Sequence, residues 1–363
     1  MSTLITIDLD AVEANYLYCS DRMRPATCAA VVKADAYGLG VRKVAPALWH
    51  AGCRQFFAAT HQEGVALRTL LPDAEIYIFE GVTERSKSVF CEHNLVPDLI
   101  APAHSELWAA HGRALGRALP AVVHIDTGMT RLGFGESELN ELLARSDDLK
   151  WLDIRYVMTH YACADEPDAG KTRAQLARFN QLRRMLPPAP TSIGNSAGGL
   201  LGGEFAGDMA RLGIALFGGN PYQDEIPAIN PVLRVQSRIL QVREITEGTT
   251  VGYGATYSAA KNMRIATVGT GYADGYPWSL GNRGVASIGG HRVPVVGRVS
   301  MDMITLDVTS VPDDLLQVNS MVDLIGPNVS LEEVAELAGT INYEILTRLS
   351  QRARRKYLGG PKN

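Results

Sequence analysis

The sequence has little that would cross-link the chain or draw it to another polymer. It has only five cysteines among 363 residues, an odd number without metal-like spacing, which excludes a disulfide framework and indicates reduced thiols. No apolar run is long enough to cross a bilayer, and the first ten residues, which carry two aspartates, do not resemble a signal peptide. A net charge of −4 gives no attraction to nucleic acid or anionic lipid. We therefore expect a cytoplasmic protein with no metal, nucleic-acid or membrane partner.

What the sequence does contain is a regular alternation of short apolar runs and helical patterns over its first 225 residues. Such alternation is typical of an α/β protein whose parallel strands are covered by helices. Eight runs predict a (β/α)8 barrel of the TIM type. A further strand is expected at Thr3–Leu9, followed by a helix that Asp10 would cap. The eight runs are Cys28–Val32, Phe56–Thr60, Glu75–Glu80, Pro97–Ala101, Ala121–Asp126, Ile154–His160, Thr191–Ser196 and Ala210–Phe217.

The composition changes in a proline- and turn-rich segment, residues 220–231, which is a candidate domain boundary. Beyond it, short apolar strands separated by glycine-rich turns indicate a smaller, mainly β domain. We predict a barrel domain over residues 1–225 and a β-domain over residues 226–363. Tyr343–Arg355 has the pattern of a terminal helix with a basic end, which the helix dipole would favour.

Polar side chains stand where a barrel would carry its active site. Lys33, Asp126, His160 and Ser196 each end an apolar run, and Arg131 lies in the loop after the fifth run. The carboxyl ends of barrel strands form the site in this fold. Strand ends are also polar for simple reasons of exposure, so placement alone does not assign a function to any of these residues.

The lysine that ends the first run has a specific chemical potential. Partial burial of Lys33 would lower its pKa towards that of a nucleophile, although a lysine can also extend from a strand end to water. An arginine such as Arg131 can hold a carboxylate through two parallel hydrogen bonds, or it can form a surface ion pair. Without a functional role, His160 would be a buried histidine that only supports the structure, and Tyr253 would be an aromatic residue in a turn.

Several segments resemble the alanine racemase family, and their order and spacing match over nearly the whole chain. The stretch Ala30-Val-Val-Lys-Ala-Asp-Ala-Tyr-Gly-Leu-Gly40 closely resembles the family's cofactor-lysine motif. His124-Ile-Asp-Thr-Gly-Met-Thr-Arg-Leu-Gly-Phe134 is similar to its substrate-arginine segment. The other matching segments are Thr159–Ala162, Asn195–Gly198, Arg211–Gly218, Val251–Tyr257, Gly271–Tyr276 and Gly297–Asp302.

The resemblance implies that pyridoxal phosphate is the cofactor and that Lys33 holds it as a Schiff base. Lys33 and Tyr253 are then the two catalytic bases, because racemisation removes a proton from one face of Cα and returns one to the other. His160 is expected to support the tyrosine, and Arg211 to face the pyridine nitrogen. The further cofactor contacts that the resemblance implies are Tyr37, Asn195, Ser196, Gly213 and Ile214.

The resemblance also assigns the substrate contacts and the assembly. It implies that Arg131 binds the substrate carboxylate, that Met301 contacts the substrate through its backbone, and that Tyr272 narrows the entrance. In this family the β-domain of one subunit supplies its tyrosine to the barrel of the other. We therefore expect a head-to-tail homodimer with its active sites at the subunit interface.

Four positions depart from the family pattern, one of them only mildly, since Ser300 stands where cysteine is common. The chain has Leu39 where histidine is usual, and Gln351 where some members have a gating tyrosine. It has His124 where many members carry a lysine that is carbamylated and orients the arginine. Carbamylation at this position is excluded here, which leaves open how Arg131 is oriented.

The sequence thus predicts a racemase that interconverts L- and D-alanine and supplies D-alanine for peptidoglycan. A racemase of the same fold for serine or a broader set of amino acids is the nearest alternative, and a catabolic role is also compatible. A non-catalytic pyridoxal-phosphate-binding protein would generally lack the β-domain and its tyrosine. A decarboxylase of similar architecture would be expected to use a C-terminal cysteine, and no cysteine follows Cys163.

Overall fold

The chain begins with a strand and a helix that belong to different layers. A computed structural model describes residues 3–166, 170–222 and 228–361. Strand β1 (Leu4–Asp8) leads directly into helix α1 (Leu9–Arg22). Asp8, rather than the predicted Asp10, caps this helix, because its Oδ1 accepts a hydrogen bond from Ala11 N at 3.1 Å. Asp10 lies inside the first turn, where its negative charge stabilises the helix by interacting with the positive end of the helix dipole.

Eight parallel strands close into a barrel, which confirms the predicted fold. Closure comes from the pairing of the first barrel strand with the last, with Thr27 opposite Met209. The eighth run ends earlier than predicted, at Leu212, and continues as a 3-10 turn, Ile214–Phe217. The barrel strands are β2 (Thr27–Val31), β3 (Gln55–Ala58), β4 (Glu75–Ile78), β5 (Leu95–Leu99), β6 (Leu119–His124), β7 (Leu152–Met158), β8 (Thr191–Ser192) and β9 (Met209–Leu212).

Amphipathic helices cover the outside of the barrel. Trp108 shows how they bury their apolar faces: the residue is buried, and its indole N–H donates to Pro120 O at 3.0 Å. An aromatic side chain buried in this way contributes roughly 1.5–3 kcal/mol. The helices after α1 are α2 (Val41–His50), α3 (His61–Leu70), α4 (Lys87–Glu92), α5 (Pro102–Leu115), α6 (Glu136–Ala144), α7 (Ser146–Leu149), α8 (Gly170–Leu182) and α9 (Ser196–Leu201).

The C-terminal part is mainly β, as predicted, and its sheet includes the first strand of the chain. The long strand β10 (Leu233–Ile245) pairs antiparallel with β1, so residues at the start of the chain complete the second sheet. The predicted boundary between residues 225 and 226 lies outside the described residues. The later strands are β11 (Thr250–Val251), β12 (Tyr257–Ser258), β13 (Met263–Val268), β14 (Val285–Ile288), β15 (His291–Pro294), β16 (Ile304–Asp307) and β17 (Met321–Ile325).

The prediction of a terminal helix over Tyr343–Arg355 is wrong for the second half of that range. Helix α10 (Leu331–Ala338) precedes α11 (Asn342–Thr347), and the chain then forms strand β18 (Arg354–Leu358), parallel to β1. The basic run therefore lies mostly in an edge strand, not at a helix end. Tertiary pairing with a distant strand decided this conformation. None of the helices in the described parts of the chain combines the length and apolarity needed to cross a bilayer.

Candidate active site

The cofactor-lysine motif forms a left-handed turn at the end of the first barrel strand. Residues Ala34 to Tyr37 all have φ between 53° and 56°, a region that costs each residue roughly 1–2 kcal/mol. Glu63 supports the turn, because its Oε1 accepts from Ala34 N at 2.8 Å while its Oε2 caps helix α3. Asp35 Oδ1 accepts from Val41 N at 2.8 Å. No local pattern in the sequence predicts this turn, since four consecutive left-handed residues without glycine carry no local signal.

A cavity of about 580 Å³ opens at the carboxyl ends of the barrel strands. It brings together most of the residues that the sequence singled out. Tyr253, Tyr272 and Met301 do not line it. The predicted site residues that do line it are Lys33, Tyr37, Arg131, His160, Asn195, Ser196, Arg211, Gly213 and Ile214.

Lys33 is half-buried in this cavity beside other cations. Burial and then the charge of Arg131 lower the pKa of the Lys33 ammonium from its usual 10.5. Its Nζ lies 5.6 Å from the centroid of the Phe79 ring, and it has no hydrogen-bond partner among the described residues. A primary amine with a lowered pKa and a free Nζ is suited to react with a carbonyl group.

Arg211 and His160 form a fixed pair at the base of the cavity. Arg211 is 3% exposed, and it donates to Ser192 Oγ and Thr159 O, each at 2.8 Å. Its Nη2 lies 3.1 Å from Nδ1 of His160. An arginine can only donate, so Nδ1 must accept and the His160 proton resides on Nε2. Burial and the nearby Arg211 hold the pKa of His160 well below 6.5, which keeps the imidazole neutral.

Arg211 itself remains a cation. Burial lowers the pKa of its guanidinium to about 10, partly opposed by the charge of Asp98. Its acceptors are neutral oxygens and a ring nitrogen rather than a carboxylate. A buried guanidinium that keeps its proton near pH 7 is a permanent positive charge next to whatever the cavity binds.

Hydroxyl and amide groups gather at the ends of strands β8 and β9. Ser196 Oγ accepts from Gly213 N at 3.0 Å and from Ala215 N at 3.4 Å. The amide of Ile214 has no partner among the described residues. The Tyr37 hydroxyl packs directly against Gly213, since a Cβ added at that glycine would stand 2.3 Å from Tyr37 Oη. Donors at such close approach are suited to an anion such as phosphate.

Asn195 has a local role that the motif did not reveal. Its Oδ1 accepts from Gly198 N at 2.9 Å and caps helix α9 (Ser196–Leu201). This cap fixes the backbone that presents Ser196 to the cavity. An asparagine at an N-cap typically stabilises a helix by about 1 kcal/mol relative to alanine.

His124, the position that departs from the family pattern, pairs with an aspartate that sequence reasoning missed. Its Nδ1 lies 2.9 Å from Oδ2 of Asp98, and both side chains are buried. Asp98 belongs to the apolar run of strand β5, and it lines the same cavity. A single aspartate inside a buried strand is the only signal that could have indicated it, since a buried carboxylate requires a partner.

The β-domain presents several exposed apolar side chains on neighbouring loops. Tyr253 is 73% exposed, and Tyr272 and Met301 are also exposed. Their loops adjoin: Ala273 N donates to Met301 O at 3.0 Å, and a Cβ at Gly254 would lie 3.0 Å from the Arg298 guanidinium. A cluster of exposed apolar residues of this kind marks an interaction surface.

Two further residues near these elements were missed in the sequence. Tyr343 lines the cavity, and its ring centroid lies 6.1 Å from that of Tyr37. The C-terminal segment therefore contributes a tyrosine to the cavity, although Gln351 occupies the position where some family members have one. Arg352 bridges the two exposed loops, because it donates to both carboxylate oxygens of Asp274, each at 2.9 Å, and to Asp302 at 2.7 Å. Its role could not be inferred from a basic run.

Comparisons with known proteins agree with the geometry. The family models for the alanine racemase N-terminal and C-terminal domains match residues 7–221 and 232–357. An alanine racemase of Rhodospirillum rubrum is 46% identical over 99% of this chain and 96% of its own length. A catabolic alanine racemase of Agrobacterium fabrum is 43% identical over 98% of this chain and 92% of its own length.

A solved structure extends the likeness to three dimensions. The alanine racemase of Bartonella henselae, with covalently bound pyridoxal phosphate, superposes with a TM-score of 0.95 at 36% identity, covering 99% of this chain and all of that one. The similarity spans both the barrel and the β-domain. This chain therefore belongs to the alanine racemase family of pyridoxal-phosphate-dependent isomerases.

Proposed function

We propose that the chain interconverts L- and D-alanine with pyridoxal phosphate, using Lys33 and Tyr253 as its two bases. The observation that carries the proposal is the position of Lys33, whose Nζ has a lowered pKa and no partner among the described residues in a cavity lined by Arg131 and Arg211. The same cavity holds the hydroxyl and amide donors that an anionic cofactor requires.

The cavity residues fit the cofactor by charge and donor type. Lys33 supplies the amine for covalent attachment, and Ser196, Tyr37 and the unpartnered Ile214 amide supply donors for a phosphate. When bound, pyridoxal phosphate supplies the electron sink that makes the substrate Cα–H acidic. The buried Arg211 stays protonated near neutral pH, so it does not transfer a proton to the pyridine nitrogen of the cofactor. A pyridine nitrogen that stays neutral favours an enzyme that only moves a proton over one that transfers amino groups.

Lys33 and Tyr253 would hold and move protons on opposite sides of the substrate Cα. Lys33 handles the proton of the D-substrate, and Tyr253 that of the L-substrate. His160 supports the tyrosine, because its Nε2 carries the proton and can donate to a phenolate oxygen. Arg131, at the cavity wall, would hold the substrate carboxylate through its guanidinium fork.

Tyr253 would come from a second copy of the chain. Within one chain it is exposed and does not line the cavity, and Tyr272 and Met301 share its surface. A head-to-tail homodimer would place this surface over the partner's cavity, covering the exposed apolar side chains and completing two sites. The five cysteines, all free thiols, support a cytoplasmic location.

Subunit mixing tests both the catalytic pair and its origin. Lys33→Ala and Tyr253→Phe variants should each lose nearly all activity, whereas refolding an equal mixture should restore activity in about a quarter of the sites, since half the dimers are mixed and each has one intact site. Wild-type chains treated identically serve as the control. A mixture that stays inactive would refute the shared site, and an active Lys33→Ala variant would refute the role of the lysine.

The substrate assignment is tested by chiral chromatography of the holoenzyme with L-alanine, L-serine and L-lysine in separate reactions. Conversion of alanine far faster than the others supports the proposal, and faster turnover of serine would favour the broader racemase. For the physiological role we propose supply of D-alanine for peptidoglycan. A deletion strain that grows without added D-alanine but fails on D-alanine as a carbon source would instead indicate the catabolic role named for the Agrobacterium relative.

A further inference from the structure

The cavity contains a buried hydrogen-bonded pair, Asp98 and His124, that the racemisation scheme leaves unused. Asp98 stands near the end of strand β5 and His124 at the end of the neighbouring strand β6. Oδ2 of Asp98 lies 2.9 Å from Nδ1 of His124, and the residues are 1% and 8% exposed. The other carboxylate oxygen, Oδ1, is buried without a hydrogen-bond partner among the described residues. An unsatisfied buried oxygen destabilises the fold, so its presence calls for an explanation.

Charge gives one reason for a carboxylate at this place. The cavity wall carries the cations Lys33, Arg131 and Arg211. Among the described lining residues only Asp98 and Glu344 are acidic, and Glu344 is exposed. Asp98 is therefore the buried carboxylate among them, and its charge raises the pKa of the Arg211 guanidinium against the effect of burial.

Backbone contacts connect the pair to the loop that carries Arg131. Phe134 N donates to His124 O at 2.7 Å, and Gly133 N donates to Ile100 O at 3.2 Å, just beyond the strand of Asp98. A Cβ at Gly133 would stand 2.9 Å from Cδ2 of the His124 ring. The imidazole thus packs directly beneath the loop, two residues from Arg131.

Asp126 also holds this loop, because its Oδ1 accepts from Gly128 N at 2.9 Å and from Thr130 N at 3.0 Å. The Arg131 side chain itself makes no hydrogen bond or ion pair with any described residue, although it lines the cavity. A long side chain without a partner loses rotamer entropy when it is fixed on a ligand. A rigid base under its loop would reduce the part of this cost that comes from the backbone.

We propose that Asp98 and His124 are a positioning pair that holds the Arg131 loop in the conformation that binds the substrate carboxylate. The inference rests on the proposed function, in which Arg131 binds that carboxylate. Asp98 fixes the imidazole through Nδ1, and the ring then supports Gly133 and the backbone that leads to Arg131. The pair takes no part in proton transfer, so its loss weakens substrate binding and spares turnover.

The test compares KM with kcat in the holoenzyme. We expect His124→Phe, which keeps a ring without the hydrogen bond, to raise KM for L-alanine about tenfold, a loss of about 1.4 kcal/mol, with kcat changed less than twofold. Asp98→Asn should have a smaller effect, because the amide oxygen still accepts from Nδ1. His50→Phe is the matched control: it removes a surface histidine that lies 3.1 Å from Glu13.

Acetate gives a readout that does not depend on turnover. It presents only a carboxylate, and its dissociation constant can be measured from the visible absorption of the bound cofactor. The constant should rise in parallel with KM in His124→Phe and stay unchanged in His50→Phe. Unchanged acetate binding in both variants would overturn the inference, and so would a fall in kcat at constant KM.

The two proposals can fail separately. If the wild-type holoenzyme does not racemise alanine, the proposed function fails. If it does racemise alanine and Asp98→Ala, which removes the acceptor of the imidazole, leaves KM and acetate binding unchanged, only the positioning role fails. Asp98→Ala thus decides the question even where His124→Phe does not fold.

Discussion

Replacing Gly213 by alanine should weaken cofactor binding through a single steric contact. The substitution adds a single methyl group at Gly213, which lies against the Tyr37 side chain. That Cβ would stand 2.3 Å from the Tyr37 hydroxyl oxygen and 2.7 Å from Cζ, distances that no unrelaxed structure tolerates. The tyrosine must move, and the proposed phosphate donors move with it.

Tyr37 cannot move easily, which sets the magnitude. Its ring packs against Phe217 at 5.1 Å and Tyr343 at 6.1 Å between centroids, and its backbone is held in the left-handed turn with φ of 56°. Overpacking of this kind costs roughly 1–3 kcal/mol. If the cost falls on the cofactor-bound state, affinity for pyridoxal phosphate falls about tenfold to a hundredfold.

The assay is equilibrium binding of pyridoxal phosphate to the resolved enzyme, followed by absorbance. Gly135→Ala is the control, because Gly135 has φ of −75° and its Cβ would meet nothing closer than 3.7 Å. Combining Gly213→Ala with Tyr37→Phe removes the oxygen nearest the new methyl group, so the double variant should bind better than the sum of the two single effects predicts. Wild-type affinity in Gly213→Ala, or strict additivity in the double variant, would refute the reasoning.

Two further predictions concern His160 and Arg352. The pKa of His160 lies well below 6.5 in the folded state, so below pH 6.5 the unfolded chain binds a proton that the folded chain does not, and the free energy of unfolding should fall on acidification. His160→Gln should remove up to about 1.4 kcal/mol per pH unit of that fall. Urea titrations between pH 5 and 7 measure it, and an equal dependence of the unfolding free energy on pH in wild type and variant would be the contrary result. Arg352→Met should release Asp274 and Asp302 and thereby loosen the loops of Tyr272 and Met301, which raises KM and leaves the cofactor affinity unchanged. Arg354 is an exposed residue nearby, and Arg354→Met should change neither constant. Equal KM values in the two variants would contradict the role of Arg352.

Much of the barrel and of its cavity could be predicted from the sequence. The eight apolar runs correspond to the eight strands, because a strand buried on both faces must be apolar along its length. The polar residue that ends such a run lies at the carboxyl edge of the barrel. Lys33, His160 and Ser196 therefore meet in one cavity, as their positions in the sequence predict.

The positions that could not be predicted depend on contacts between distant segments. Strand β1 joins the second sheet through β10, and β18 forms beside it, because backbone groups about 230 and about 350 residues apart satisfy each other. The left-handed turn after Lys33 exists because Glu63 and Asp35 hold it. No local pattern specifies either feature.

By itself the sequence determined which residues are apolar, which polar residues follow them and hence the barrel and the lysine that follows its first strand. Only the tertiary structure decided that Asp98 partners His124, that Arg352 joins two loops, and that Tyr253 faces outward. The physical reason is the range of the forces involved. Periodic burial is encoded residue by residue, whereas a buried charge is stable only beside a partner that the folded chain brings to it.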